Sequence, residues 1–308
     1  MAKPRLLNTH SKKWESYKLF LYVLPCLIFI FIFKYLPLWG WSYAFFQYKP
    51  GRDLFKCAFV GLQNFTALFG NAVMRNNLLR VLRNTFGIQI LNYLLMPVPM
   101  LFAIFLSEIK STKFQKAVQT LTTLPHFISW VIMFSLATSL FGNSGVVNAV
   151  LKNFGAEGIN ILTTDQHVWL IHSLLALWKS LGWSAIIYFA AITGLDQEVY
   201  EAAMVDGASR WQKIRYITIP LLIPTFFVLL IMGIGNFLNS GIDQFLAFGN
   251  AMNKEYIEVL DLYVYNLGIG NGQISFSVAV GMMKSVVAVV LFALANFASK
   301  KVRGTSVF

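Results

Sequence analysis

Charged residues are scarce in this chain. Asp, Glu, Lys and Arg make up 12% of its 308 residues, whereas about a quarter of an ordinary soluble domain is charged. Hydrophobic residues make up 57%, and the mean hydropathy is +0.61. So few charges cannot cover a water-soluble core of this size. The composition therefore excludes a soluble globular protein and indicates a membrane protein.

Cysteines are few, and the sequence has neither a cluster of histidines nor a phosphate loop. Cys26 and Cys57 allow only one pair, which excludes a disulfide framework. The four histidines are scattered, and His167 and His172 would lie on different faces of a helix, so no metal site is predicted. Gly is never followed by Lys, so the chain has no Gly-Lys-Ser/Thr phosphate loop for ATP.

Long hydrophobic runs dominate what is present. A spanning helix needs about 20 mostly apolar residues, and six segments qualify, at 19–46, 85–106, 117–141, 168–193, 216–239 and 274–297. The first follows a basic N-terminus but lacks a small-x-small cleavage site, which predicts an uncleaved span rather than a signal peptide. Lys34, Pro37 and Gly40 predict a bend near its outer end. We expect an all-α membrane protein in which residues 1–308 form a single transmembrane domain.

The distribution of basic residues predicts the orientation. The formal charge is +12, from 25 Lys plus Arg and 13 Asp plus Glu. On a membrane protein this excess suggests the positive-inside bias rather than nucleic-acid binding. Six spans put both termini on the side whose segments are richer in Lys and Arg, so both termini are predicted to be cytoplasmic. Arg75, Arg80 and Arg83 are the main exception, and residues 71–84 are predicted to form a short amphipathic helix on the outer surface.

Two long loops are predicted to be folded. The cytoplasmic loop 194–215 has the signals of two short helices: Asp196 as a cap with Glu198 behind it, Gly207 as a left-handed stop, and Ser209 with Gln212 at capping-box spacing. Such a helix pair could bind another protein or could merely connect two spans, and spacing alone leaves both open. The outer loop 240–272 has turn signals at 249–250 and 268–272, which favour a folded extracellular feature.

The cytoplasmic loop also carries a recognisable motif. Its members are Glu201, Ala202, Ala203, Asp206, Gly207, Ala208, Gln212, Ile217, Ile219, Pro220 and Pro224. This pattern resembles the coupling loop of permease subunits of binding-protein-dependent ABC importers. Further blocks at 33–37, 59–65, 83–85, 124–130, 182–183, 261–265 and 279–281 resemble the branch that imports oligosaccharides derived from polysaccharides. The resemblance extends over nearly the whole chain.

The resemblance implies a type I ABC importer permease fold of the bacterial cytoplasmic membrane. It implies four kinds of partner: a second permease of similar fold, two ATPase subunits that use ATP and Mg, an extracellular solute-binding protein and an oligosaccharide. In such importers the first loop helix docks on an ATPase. That role is implied here for Glu201, Ala202, Ala203, Asp206, Gly207 and Arg210. This chain itself would be no enzyme and would hold no cofactor.

A sugar pathway needs hydrogen-bonding groups and aromatic platforms that face a water-filled cavity. The candidates within the predicted spans are Gln89, Asn92, Trp178, Lys179, Tyr188, Asn236, Asn239 and Lys284. For each of them, an interhelical hydrogen bond or ordinary packing is the competing explanation. If both Lys179 and Lys284 line the path, they would favour anionic sugars such as uronic-acid oligomers.

Two other classes of protein compete with the importer. A secondary carrier or channel for small solutes would also be apolar, basic and six-spanned, but it would not need the cytoplasmic helix pair, and no internal repeat of the kind common in carriers is visible. A membrane enzyme would need convergent catalytic groups, whereas His126 has no acidic residue in its own span.

Overall fold

The computed structural model describes residues 9–158, 162 and 167–303. This part of the chain is almost wholly helical, and its β-structure is one isolated antiparallel bridge between Phe46 and Phe59. The α-helices are α1 (Thr9–Ile30), α2 (Gln63–Gly70), α3 (Ala72–Leu95), α4 (Pro97–Ser107), α5 (Thr112–Thr123), α6 (Trp130–Phe141), α7 (Val146–Asn153), α8 (Val168–Thr193), α9 (Gln197–Val205), α10 (Arg210–Lys213), α11 (Ile219–Ile234), α12 (Asp243–Phe248), α13 (Lys254–Ile257), α14 (Leu260–Tyr265) and α15 (Ile274–Arg303).

Six helical stretches in the described part are long and apolar enough to cross a membrane, which confirms the predicted number of spans. They are Tyr17–Phe45, Ala72–Ser107, Trp130–Asn153, Val168–Thr193, Arg210–Ile234 and Ile274–Phe297. Residues 194–215 and 240–272 follow successive spans and so lie at opposite ends of the bundle. We call these ends the coupling face and the loop face, respectively.

The first span changes helix type along its length. α1 passes into a π-helical turn at Phe31–Tyr35 and then into a 3-10 helix at Leu36–Phe45. The change falls where Lys34, Pro37 and Gly40 predicted an irregularity. The apolar window of this span has no buried residue, so its side chains are free to face lipid or another membrane subunit.

The second span is longer than predicted, and the interpretation of residues 71–84 as a separate surface helix is wrong. Asn71 caps α3 by accepting hydrogen bonds from the backbone amides of Val73 and Met74, and the helix then continues without interruption to Leu95. Nothing in its sequence breaks the helix near Asn84. The chain restarts as α4 at Pro97, whose missing N–H suits the first turn of a helix.

The third span was predicted as one helix over 117–141, but residues 124–129 interrupt that helix and the spanning stretch begins only at Trp130. We call residues 124–129 the break in the third span. α5 ends at Thr123 and is followed by a 3-10 turn at Leu124–Phe127. Ile128 and Ser129 are extended, and the Ser129 hydroxyl accepts a hydrogen bond from the Ile132 amide to start α6. The apolar pattern continues across this segment, so hydropathy hides the break, and Pro125 was the local signal of it.

The segment 240–272 is folded, as predicted. It contains α12, α13 and α14, and it contributes much of the buried core at the loop face, including Phe245, Phe248, Ile257, Val259 and Leu262. These side chains pack against Ile88, Ala137 and Val168 from three spans. The segment 240–272 lies outside the spans, so the apolar side chains that it buries are removed from water, and this burial stabilises the loop face.

Candidate functional site

The helix pair of the coupling face has the capping predicted for it. Asp196 accepts a hydrogen bond from the Glu198 amide at 3.0 Å and starts α9. At the other end Gly207 adopts a positive φ of 76°, and the Ala208 amide donates to the Ala203 carbonyl at 2.9 Å. A left-handed residue at this position stops the helix, and glycine adopts that conformation at the lowest cost.

The second helix of the pair is joined rigidly to the fifth span. Ser209 and Gln212 form a reciprocal capping box, with distances of 3.3 and 2.7 Å. α10 then runs through a π-helical turn at Ile214–Thr218 into α11. The Tyr200 and Thr218 hydroxyls lie 2.9 Å apart and tie α9 to the same span. α9 is therefore connected to the spanning helix in two ways, through the chain that continues from α10 into α11 and through the Tyr200–Thr218 hydrogen bond.

The six residues implied for ATPase coupling lie together on this pair. Glu201, Ala202, Asp206, Gly207 and Arg210 are exposed, and Ala203 is half-buried. Sequence reasoning missed Met204, Val205 and Trp211, which are 55%, 89% and 58% exposed. Three large, exposed apolar side chains on one helix pair are typical of a protein-binding surface. Their apolar type beside the polar motif residues was the available signal.

Four of the pathway candidates form a hydrogen-bonded chain between the second span and the residues just after the fifth span, which ends at Ile234, so Asn236 and Asn239 lie beyond the predicted span 216–239 in which they were placed. Gln89 donates to the Ser240 hydroxyl at 3.1 Å and accepts from the Asn92 amide at 3.4 Å. Asn239 donates to the Asn236 side chain at 3.1 Å. Gln89 also reaches the Asn239 carbonyl at 3.5 Å, which joins the two pairs.

Lys284 lies beside this polar chain and is paired with an acid. Its ammonium contacts the Asp261 carboxylate, whose other oxygen accepts from the Gly241 amide at 3.1 Å. Asp261, Asn239 and Gly241 line a cavity of about 620 Å³. The positive charge of Lys284 is thus balanced within the protein.

The remaining three candidates lie elsewhere on α8. Lys179 donates to backbone carbonyls of the break in the third span. Trp178 lines an apolar cavity of about 550 Å³ with Met133 and Leu174. Tyr188 is buried, and its hydroxyl has no hydrogen-bond partner within the described part of the chain.

Tyr188 lines a cavity of about 510 Å³ that sequence reasoning described only in part. Asn92 lines it as well, and so do Ser180, Trp183 and Ser184, which were missed. Ser180, Ser184 and Tyr188 are spaced four residues apart and therefore share one helix face. That spacing is visible in the sequence and would have found the cavity. Hydroxyls, an amide and an indole around one space can bind the hydroxyl groups and apolar faces of a sugar ring.

Two of the three arginines that departed from the charge bias, Arg80 and Arg83, contact residues of the loop face. Arg80 pairs with the buried Glu258 at 2.5 Å, and the Asn266 amide donates to the second oxygen of Glu258 at 2.9 Å. Arg83 lies over the Tyr256 ring, 5.7 Å from its centroid. Burial raises the pKa of the nearby Tyr263, and Glu258 raises it further while Arg80 opposes the shift.

Metal ligands do not cluster in the residues that the structure describes. No group of three or more His, Cys, Asp or Glu side chains among them could hold an ion. The two cysteines are free.

Comparison with known proteins gives one consistent result. Residues 88–304 match the family model described as the binding-protein-dependent transport system inner membrane component. The chain is 40% identical over 285 residues to the polygalacturonan/rhamnogalacturonan transport system permease protein YteP of Bacillus subtilis, covering 92% of this chain and 88% of that protein. It is 28% identical to the arabinooligosaccharides transport system permease protein AraP of the same organism, with coverage of 92% and 87%.

Solved structures agree in fold along nearly the whole chain. A chain of a bacterial ABC transporter involved in the import of the acidic polysaccharide alginate superposes with a TM-score of 0.83 at 32% identity, covering 97% of this chain and 100% of that one. A chain of the bacterial alginate ABC transporter in complex with an alginate pentasaccharide-bound periplasmic protein gives a TM-score of 0.84 at 33% identity, with coverage of 98% and 100%.

Proposed function

Because this chain belongs to the family of inner membrane components of binding-protein-dependent transport systems, we propose that it is the permease subunit of an ATP-driven importer of oligosaccharides. The observation that carries the proposal is the exposed helix pair at the coupling face, which is fixed to the fifth span by the Tyr200–Thr218 contact. An importer needs such an element, because ATP-driven closure of its ATPases must be converted into movement of spanning helices.

The proposed division of labour follows from what the chain contains. ATP and Mg would be bound by two partner ATPases, since this sequence has no phosphate loop. Glu201, Ala202, Ala203, Asp206, Gly207 and Arg210 would contact an ATPase, joined by the exposed Met204 and Val205. A second permease of similar fold would complete the pathway, and a solute-binding protein would deliver the sugar at the loop face.

The proposed substrate is an oligosaccharide released from a polysaccharide. The names of the relatives support this, because they refer to polygalacturonan and rhamnogalacturonan, arabinooligosaccharides and alginate. Polygalacturonan, rhamnogalacturonan and alginate are acidic polymers, so uronic-acid oligosaccharides are the first class to test. Within this chain, the cavity around Trp183, Ser184 and Tyr188 and the polar chain from Gln89 to Asn239 are the proposed sugar contacts.

The proposed orientation places the coupling face and both termini in the cytoplasm of a bacterial cell. Lys110, Lys113 and Lys116 lie at the same end as the helix pair, as the positive-inside bias requires. Arg80 and Arg83 at the other end are engaged with Glu258 and Tyr256, so structural contacts account for them.

Purification in mild detergent tests the assembly. We expect an ATPase and a second permease to co-purify with the tagged chain. We expect the ATPase activity of this complex to increase when the solute-binding protein loaded with an oligosaccharide is added. Recovery of the chain alone under cross-linking, with uptake driven by an ion gradient instead of ATP, would favour a secondary carrier. The sugar that stimulates hydrolysis identifies the substrate.

A further inference from the structure

The break in the third span leaves the His126 and Ile128 carbonyls without helical partners, while the Pro125 carbonyl accepts a hydrogen bond from the Ile128 amide at 3.2 Å. The 3-10 turn Leu124–Phe127 ends in the extended residues Ile128 and Ser129, and α6 starts only at Trp130. Carbonyl groups at the end of a helix lack the amide that would bind them within the helix. At the depth of a membrane they must find another donor, because lipid offers none.

Lys179 supplies that donor from the fourth span. Its ammonium donates to the Pro125 carbonyl at 3.0 Å, to the His126 carbonyl at 2.8 Å and to the Ile128 carbonyl. The same nitrogen lies 5.5 Å from the centroid of the Trp130 ring. The ion pairs in the described part of the chain are Lys56–Asp53, Arg80–Glu258 and Lys284–Asp261, so Lys179 is held by carbonyls and an aromatic ring instead of a carboxylate.

The same turn of α8 makes two further contacts, one with the end of α5 and one with the break. A Cβ atom added to Gly182 would lie 2.4 Å from the backbone of Thr122, so the two backbones are in direct contact. The His126 ring stacks on the Trp183 ring with 4.5 Å between centroids and an interplanar angle of 1°. Residues 179, 182 and 183 are neighbours on one helix face. They form a single docking surface for the break.

We propose that Lys179 is a positioning residue, a tethered cation that holds the break and thereby sets the direction of α6, and that it does not recognise the charge of the sugar. The proposal rests on the permease function proposed above. A cation is favoured at the carboxyl end of a helix, and a lysine provides one without requiring an ion from solution. α6 then presents Trp130 and Val131 to a groove of about 650 Å³, which Asp243 and Leu246 of α12 and Lys179 itself also line.

Transport kinetics separate positioning from charge recognition. The complete importer, with the variants Lys179→Met and Lys179→Arg, is assayed with a neutral and a uronic-acid oligosaccharide of equal length. For Lys179→Met we expect the maximal rate to fall about tenfold or more for every sugar that the wild type transports, with little change in KM, because misplaced groups reduce turnover. Lys179→Arg keeps the charge and the donors, so we expect it to restore most of the rate.

A second measurement needs no sugar. Val131→Cys and Leu246→Cys, in a chain whose Cys26 and Cys57 are replaced by serine, place one thiol on α6 and one on α12, both in the lining of the groove. We expect a short bifunctional maleimide to cross-link them in the background chain. The yield should fall with Lys179→Met and return with Lys179→Arg, because only an anchored break keeps α6 beside α12.

Either of two results would overturn the proposal. One is a Lys179→Met importer whose KM rises for the acidic sugar alone while cross-linking is unchanged, since that result describes charge recognition. The other is unchanged transport together with unchanged cross-linking. If Lys179→Met does not reach the membrane, Lys179→Gln replaces it, and the same two readouts decide. Failure of the wild type to transport any sugar would contradict the permease function, while the cross-linking would still test the role of Lys179.

Discussion

Lys179 and Lys284 lie within spanning helices, and each is held by a different kind of partner. Lys284 is paired with the Asp261 carboxylate, and Lys179 is surrounded by carbonyls. A charge in a membrane is retained only where partners or water stabilise it. The Asp261 carboxylate balances the charge of Lys284, and the Lys179 ammonium, which lines a groove together with Asp243, already donates to three carbonyls. The acidic character of the substrate is therefore supported by the relatives rather than by these two residues.

The Lys284–Asp261 pair predicts an asymmetry between single and double substitutions. The two side chains are 14% and 20% exposed, so removing one charge leaves the other nearly buried and unpaired. We expect Lys284→Met or Asp261→Asn alone to destabilise the protein by about 3 kcal/mol, and the double variant to cost clearly less than either. Thermal unfolding of the detergent-solubilised complex measures this. Additive losses in the double variant would show that the pair is not coupled.

Gly207 predicts a loss of coupling that spares folding. Its φ of 76° is incompatible with proline, whose ring fixes φ near −65°. No atom lies within 4 Å of a Cβ built at this position, so the restriction is conformational and not steric. We expect Gly207→Pro to abolish transport while the chain still inserts into the membrane. Gly207→Asn is the matched control, because asparagine tolerates the left-handed region. Equal transport by both variants would contradict the predicted role of this turn.

At the scale of elements, the first half of α3 is hydrogen-bonded to the loop face. The Asn84 amide donates to the carbonyls of Glu255 and Glu258 at 2.7 and 3.1 Å, and the Thr85 hydroxyl accepts from the Leu260 amide at 2.9 Å. Arg80 adds its ion pair with Glu258. One continuous helix therefore spans the membrane and also fixes α13 and α14 above it.

The Arg80–Glu258 ion pair predicts how the loop face responds to the loss of an arginine. The Glu258 side chain is 5% exposed, so Arg80→Met leaves a buried carboxylate without its counter-charge. We expect α13 and α14 to loosen, with faster proteolysis near Lys254 in right-side-out vesicles and weaker stimulation by the solute-binding protein. Arg75→Met is the control, since Arg75 is exposed on the same helix. Identical digestion of the two variants would mean that the ion pair does not hold the segment.

Local signals decided which elements the sequence predicts. Asp196, Gly207 and the Ser209–Gln212 box act within a few residues of themselves, so both helices of the coupling face were predictable. The break in the third span had one local signal, Pro125, which the prediction of a single helix over 117–141 overlooked. How the break is held was not predictable. Lys179, from 51 to 54 residues further along the chain, binds the carbonyls of Pro125, His126 and Ile128, and hydropathy carries no trace of that contact. The sugar-pathway candidates were polar residues in spans, but which of them meet depended on how the spans pack.

For the whole molecule, hydropathy predicts the number of spans better than their packing. Six apolar stretches are apparent in the composition of the chain. By contrast, the apolar window of the first span has no buried residue, and the other windows are between 11% and 28% buried. A soluble core would be far more buried than this, because water penalises apolar exposure and lipid does not. Stability therefore depends on the bilayer and on proposed partner subunits as well as on contacts within the chain.

The orientation of the chain across the membrane is a prediction at the scale of the whole molecule. Lys113 is exposed at the start of α5, at the coupling face, and Phe154 is 85% exposed just beyond α7, at the loop face. In a chain with Cys26 and Cys57 replaced by serine, we expect Phe154→Cys to react with a membrane-impermeant maleimide in intact cells. Lys113→Cys should react only after the membrane is opened. The reverse pattern would place the helix pair outside the cell, where no ATPase could reach Glu201, so one labelling experiment tests both the charge bias and the proposed coupling.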